Sequence, residues 1–88
     1  MKVLFETSFA RDLKKIRNKR LLAQIQQVIN QVKSAASVSD VADLKKMQGY
    51  DTFYRIRLGD YRIGVDISDE QVIFVRLLHR KDIYRYFP

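Results

Sequence analysis

The stretch Phe53-Tyr-Arg-Ile-Arg-Leu-Gly-Asp-Tyr-Arg-Ile-Gly-Val-Asp-Ile67 alternates apolar and polar residues with period two on both sides of Gly59-Asp60. That is the pattern of a half-buried antiparallel hairpin. Tyr54, Ile56, Leu58, Tyr61, Ile63, Val65 and Ile67 form its apolar face. A turn centred on Gly59-Asp60 sets Arg57 directly across from Arg62 and Arg55 opposite Gly64. Like charges facing each other across strands cost stability, so the pair calls for a nearby anion, and the missing side chain at Gly64 leaves room for one.

Working outward, Gln71 to Leu78 reads as a third strand with Ile73, Val75 and Leu77 as its core face. An odd-numbered loop, Ser68-Asp69-Glu70, pairs Val65 with Ile73 and Ile63 with Val75 and places Arg76 opposite Arg62. An even loop would aim Arg76 at Ile63 in the core, where an unpaired charge is costly, so the odd register is expected. Arg80 then falls on the same face, which gathers Arg55, Arg57, Arg62, Arg76 and Arg80. One or two arginines would suit a solvated strand surface; five on one face argue for an anionic ligand.

Toward the amino terminus, Lys2 to Thr7 is a short strand, and Ser8 is the expected N-cap of a helix with Phe9, Leu13 and Ile16 at helical spacing. Asn18 marks its end. Lys19 to Ala35 carries Leu21, Leu22, Ile25, Val28, Ile29 and Val32 as one apolar stripe. With so short a link the two helices form an antiparallel hairpin covering the apolar face of the sheet, leaving the arginine face open. The segment from Ala36 to Ala42 is a small, polar connector, and Gly49 suits a turn or helix end before the hairpin.

The chain's 88 residues are enough for one domain, residues 1–88, with a small core. Lys plus Arg number 17 against 10 Asp plus Glu, a net charge of +7 that implies a polyanionic partner, nucleic acid being the commonest for a compact basic domain. Without cysteine there is no disulfide or thiolate metal site, and a lone histidine argues against zinc, so neither metal nor cofactor is implied. No apolar run approaches the ~20 residues of a membrane span and no signal-peptide core is present. The expectation is a cytoplasmic protein without a membrane partner.

The closing segment His79-Arg-Lys-Asp-Ile-Tyr-Arg-Tyr-Phe-Pro88 is dense in titratable and aromatic groups. Histidine is the side chain whose charge changes near neutral pH, so proton transfer points first to His79. Tyr84 could stack on a base, while Ile83, Tyr86 and Phe87 cap the core. Lys45 and Lys46 could flank a phosphate path.

Leu44-Lys-Lys-Met-Gln-Gly49, Tyr54-Arg-Ile-Arg-Leu58, Asp60-Tyr-Arg-Ile63 and His79-Arg-Lys-Asp-Ile-Tyr84 resemble, in order and spacing, the successive motifs of the RelE/ParE toxin superfamily. The resemblance covers nearly the whole chain. It implies an α+β fold: an N-terminal strand, an antiparallel helix hairpin, then a three- to four-stranded antiparallel sheet with a short C-terminal helix or turn. RelE-like members cut messenger RNA in the ribosomal A site, whereas ParE-like members poison DNA gyrase on the same scaffold. Basic residues at Arg55, Arg57, Arg62 and Arg80, with Tyr84, match the RelE-like active face. The gyrase reading, and a degenerate toxin acting only in a repressor complex, are the alternatives.

For the RelE-like branch the resemblance implies metal-independent attack of a ribose 2′-hydroxyl on the adjacent phosphate, with catalytic Arg55, Arg57, Arg62, His79, Arg80 and Tyr84. Arg55 and Arg57 stand where the best-known pattern has functional lysines, and arginine cannot readily accept a proton at neutral pH. His79 then becomes the proton-transfer group and Tyr84 orients the target base or phosphate. Lys45, Lys46, Arg76 and Lys81 would contact RNA or the ribosome, and Lys14, Lys15, Arg17, Lys19 and Arg20 are candidates for sequence-independent contact with ribosomal RNA. The implied partners are a cognate antitoxin with partly disordered segments, messenger RNA and the ribosome, and operator DNA only through the antitoxin.

Overall fold

The computed structural model describes residues 1–88. Its elements run β1 (Lys2–Phe5), α1 (Thr7–Lys14), α2 (Lys19–Ser34), a 3-10 turn (Val38–Asp40), β2 (Leu44–Lys46), β3 (Phe53–Leu58), β4 (Tyr61–Ser68), β5 (Gln71–His79) and α3 (Ile83–Tyr86). The five strands lie in the order β1-β5-β4-β3-β2. β2 through β5 pair antiparallel, and β1 is added in parallel at the β5 edge. The expected α+β class is therefore found, with β2 as the fourth antiparallel strand.

The hairpin at the centre follows its alternation. Gly59 takes φ 57°, which a glycine adopts without strain, and the register sets Arg57 against Arg62, Ile56 against Ile63 and Arg55 against Gly64. Ile56, Ile63, Val65 and Ile67 face Phe9, Ile25, Ile29 and Val32 from the helices, and Val72, Phe74 and Leu77 from β5 complete the main core. The helices thus cover one face of the sheet. On the other face a smaller cluster of Met47, Ile83 and Phe87 packs with Phe53, Val75 and Leu78.

The expected register between β4 and β5 is overturned. Asp69 and Glu70 both adopt left-handed backbone, at φ 49° and 63°, so the turn has two residues and pairs Ser68 with Gln71 and Ile67 with Val72. Val65 then faces Phe74 and Gly64 faces Arg76, leaving Val75 as the extra residue of a β-bulge. Leu77 is a core position as expected, but Val72 and Phe74 take the places assigned to Ile73 and Val75. Arg76 opposes Gly64, not Arg62, and its guanidinium is held by Asp12 of α1 at the β5 edge, apart from the other arginines.

The bulge keeps Arg76 away from Ile63, and Asp12 of α1 pairs its charge, so the penalty that had argued against an even turn does not arise. The Asp12 carboxylate, buried at 5% exposure, accepts from Arg76 Nε at 2.7 Å, from Arg76 Nη2 at 3.2 Å and from the Leu77 backbone N–H at 2.9 Å. β1 pairs with β5 only as far as Phe5 opposite Phe74. Beyond that point α1 takes over the edge, with Glu6 N–H on the Phe74 carbonyl at 2.9 Å and Ser8 Oγ on the Val75 carbonyl at 2.6 Å. Ser8 is consequently not the N-cap; that position is Glu6, and α1 begins at Thr7. Asn18 does not end α1 but starts α2, its side chain accepting from the Leu21 N–H at 3.1 Å. No helix is long and apolar enough to cross a membrane.

Candidate active site

Two cross-strand rows build the face opposite the helices. Lys45, Arg55 and Gly64 lie in one row, and Arg57, Arg62 and Leu78 in the next. Residues directly opposite in an antiparallel pair project to the same side, so the alternation of the hairpin alone brings Arg55, Arg57 and Arg62 together. Arg80 joins them from just beyond β5. Its backbone N–H donates to the Asp60 carbonyl at 2.7 Å, which pins it over the Gly59-Asp60 turn.

α3 sits on this same face because Ile83 and Phe87, four residues apart, both turn to the sheet and are buried. Tyr84, next to Ile83, is left 67% exposed, and its hydroxyl accepts from Arg55 Nε at 3.1 Å. The Phe87 ring lies where a side chain at Gly64 would stand: a Cβ there would be 2.8 Å from three of its ring carbons. The room expected for an anion beside Gly64 is therefore filled by an aromatic ring. Gly64 lets Phe87 approach, and the open part of the cationic face is the surface above Arg55, Arg57, Arg62 and Arg80.

The charge on this face is poorly neutralised. Arg57 reaches Asp43 at 3.6 Å and Arg80 reaches Asp60 at 3.9 Å, both between exposed groups and so weakly stabilising. Arg62 has no carboxylate partner: its Nη1 donates to the Gly59 carbonyl at 2.7 Å and the Tyr61 carbonyl at 2.8 Å. Partial burial, then the guanidinium groups of Arg55, Arg57 and Arg80, lower the Arg62 pKa, with Tyr84 opposing them. Cations crowded together with so little counter-charge give this face a positive field that attracts anions.

Of the residues expected in the site, Arg55, Arg57, Arg62, Arg80 and Tyr84 come together, and Lys45 extends the row beside Arg55. Lys46 pairs with Tyr54 and projects to the helix side of the edge strand. Lys81 lies exposed in the turn after β5. Arg76 is held by Asp12. His79 pairs with Tyr61, whose ring packs in the helix-side core, and the two rings meet edge-on at 5.6 Å and 71°. It is turned away from the arginines.

Sequence reasoning missed Asp43 and Asp60, and foresaw Phe87 as a capping residue but not its place against Gly64. Asp60 was legible in part, since it occupies the hairpin turn that the strand end must meet. Asp43 gave no signal; it takes left-handed backbone at φ 61° and accepts from the Arg57 N–H through its carbonyl at 3.1 Å.

Residues 3–84 match the family model described as the ParE toxin of type II toxin-antitoxin system, parDE. The chain is 44% identical over 89 residues, covering all of both sequences, to Toxin RelE3 of Methanocaldococcus jannaschii. Among solved structures, it resembles a chain of the RelB-RelE antitoxin-toxin complex from Methanococcus jannaschii with a TM-score of 0.80 at 41% identity, over 97% of this chain and 99% of that one. The toxin-antitoxin complex RelBE2 from Mycobacterium tuberculosis matches with a TM-score of 0.66 at 28% identity, over 90% and 96%. Identity of this order over the full length reflects common descent and not shared topology alone: the chain belongs to the ParE toxin family, within the RelE/ParE superfamily, and is a toxin of the type II toxin-antitoxin class.

Proposed function

We propose that this toxin is a ribosome-dependent, metal-independent endoribonuclease that cuts messenger RNA in the A site and so inhibits translation. The observation that carries the reading is the convergence of Arg55, Arg57, Arg62 and Arg80 on one face with Tyr84 held among them. The ribose 2′-oxygen attacks the adjacent phosphorus and loses its proton, the bond to the 5′-oxygen breaks, and that oxygen takes a proton. The products are a 2′,3′-cyclic phosphate and a 5′-hydroxyl. Charge grows on the non-bridging oxygens as the new bond forms, and guanidinium forks fixed in advance stabilise it.

Arg62, short of counter-charge and tied to the hairpin turn, and Arg80, pinned to the same turn, are the phosphate clamp. Arg55 aims the Tyr84 hydroxyl, which can donate or accept a proton and whose ring offers a base a stacking surface. Arg57 and Lys45 continue the cationic path along the RNA. The same reading gives the toxin a cytoplasmic site of action, ribosomal RNA as a contact and a cognate antitoxin as its regulator, since the relatives of known structure are RelB-RelE and RelBE2 complexes. Operator DNA would be reached through that antitoxin.

The test is a cell-free translation reaction with added toxin, with messenger 5′ ends mapped by primer extension with and without ribosomes. Cuts within codons that need ribosomes, and that fall ~10²-fold in Arg62→Ala or Arg80→Ala, are expected from the loss of one charge-stabilising group. Intact messages with folded toxin would overturn the reading. The description of the matched family as ParE toxins favours DNA gyrase as the second target; gyrase-dependent DNA breaks without message cleavage would identify it.

A further inference from the structure

His79 faces away from the arginines, yet it governs the backbone that carries one of them. All three backbone N–H groups of Arg80, Lys81 and Asp82 are taken. Arg80 N–H donates to the Asp60 carbonyl at 2.7 Å and Asp82 N–H to the His79 carbonyl at 2.8 Å. The Lys81 N–H donates to the His79 side chain, at Nδ1, over 3.2 Å. Two of the three bonds that shape the segment therefore end on His79, one of them on its ring.

The ring has little freedom to do otherwise. Tyr61, itself packed against the main core, stands edge-on to it at 5.6 Å, and the ring opens toward Asp12, Lys15 and Asp82 on the helix side. The geometry makes Nδ1 the acceptor, the role it has in the tautomer that carries its hydrogen on Nε2. A group that must keep Nδ1 bare to hold the chain, and that looks away from the bound phosphate, is badly placed to shuttle protons to it.

We infer that His79 is a positioning residue, whose Nδ1 acts as an acceptor that shapes the turn presenting the Arg80 guanidinium to RNA phosphate. Arg80 is one residue beyond it, and a shift of about 1 Å in a clamping group can lower a rate ~10²-fold. This inference rests on the proposed phosphate role of Arg80, but its structural half stands apart from activity.

The experiment compares His79→Asn, His79→Gln and His79→Ala in the ribosome-dependent cleavage assay and by proton-nitrogen NMR of the free toxin. The Asn side-chain oxygen reaches the place of Nδ1, whereas the Gln amide extends to the place of Nε2. His79→Asn should retain cleavage within about threefold of the parent, while His79→Gln and His79→Ala fall ~10-fold or more through loss of Arg80 placement. The parent spectrum should show the Nε2–H tautomer, and the Lys81 amide should shift in the Ala and Gln proteins but not in the Asn protein. Full activity in His79→Ala, or an Asn protein as inactive as the Ala protein with its Lys81 amide unmoved, would overturn the inference; the second result would make His79 a proton-transfer group. If the parent itself does not cut, the cleavage proposal fails alone: the tautomer and the Lys81 amide still decide the role of Nδ1.

Discussion

Gly64 is the residue whose missing side chain another residue uses. A Cβ there would lie 2.8 Å from the Phe87 ring, and Phe87 is buried and anchors α3. Gly64→Ala should therefore destabilise the fold by about 1–3 kcal/mol, as overpacking does. Because α3 must lift to relieve the clash, Tyr84 should move off Arg55 and cleavage should fall more than stability predicts, which urea unfolding beside the cleavage assay would reveal. Arg62 behaves in the opposite sense. Its lowered pKa means that its charge is disfavoured by folding, so Arg62→Gln should raise stability slightly while lowering cleavage ~10²-fold. Calorimetry of the two proteins checks the sign. The pH dependence follows. Between the lowered folded pKa and the unfolded value the unfolded chain holds a proton that the folded chain has lost, so stability rises with pH in that alkaline window. Below the folded value Arg62 is charged in both states and contributes no slope.

At the scale of elements, the joint between α1 and β5 depends on one buried carboxylate. Asp12→Ala leaves Arg76 without its counter-charge and the Leu77 N–H without an acceptor. Removing one partner of a buried pair costs about 3–5 kcal/mol; with the Arg76 side chain 27% exposed, about 2–3 kcal/mol is expected in urea unfolding. Asp12→Leu combined with Arg76→Met should recover the part of that loss due to the unpaired charge but not the part due to the Leu77 N–H, which still lacks its acceptor. This joint also explains where the sequence stopped being legible. The β3–β4 hairpin could be read because its turn, alternation and register are local, and Arg55, Arg57 and Arg62 came with it. The β4–β5 register could not, because it turns on Asp12, which lies 64 residues from Arg76, and on a bulge that restores the core parity after an even turn. Phe87 was foreseen as a capping residue, but not that it would cap the arginine face, since Gly64 gives no sign of which ring will fill it. His79 falls on the helix side by the same alternation that makes Leu77 a core residue; it was assigned to the site from its chemistry and the resemblance of the closing motif, not from register.

Over the whole molecule the sheet divides two tasks. One face buries the large core against α1 and α2, and the other carries the arginines, with only the small α3 cluster packed on it. Stability and the proposed RNA contact thus draw on different side chains, which allows the cationic face to keep mutually repelling charges. The remaining excess of positive charge lies at the bend between the helices, where Lys14, Lys15, Arg17, Lys19 and Arg20 form no ion pair. Lys19 and Arg20 open α2 without an acidic residue in its first turn, against the preference of a helix amino terminus for negative charge. Cations retained at such a position suit a polyanion bound from outside. Lys15→Gln and Arg20→Gln should each weaken association with ribosomes and make the slope of log affinity against log salt shallower by about 1, the expected effect of removing one phosphate contact. Because neither residue belongs to the core, unfolding midpoints should move little. If association is unchanged across the salt series in both proteins, the helix bend is only a solvated surface and the ribosome is held by the arginine face alone.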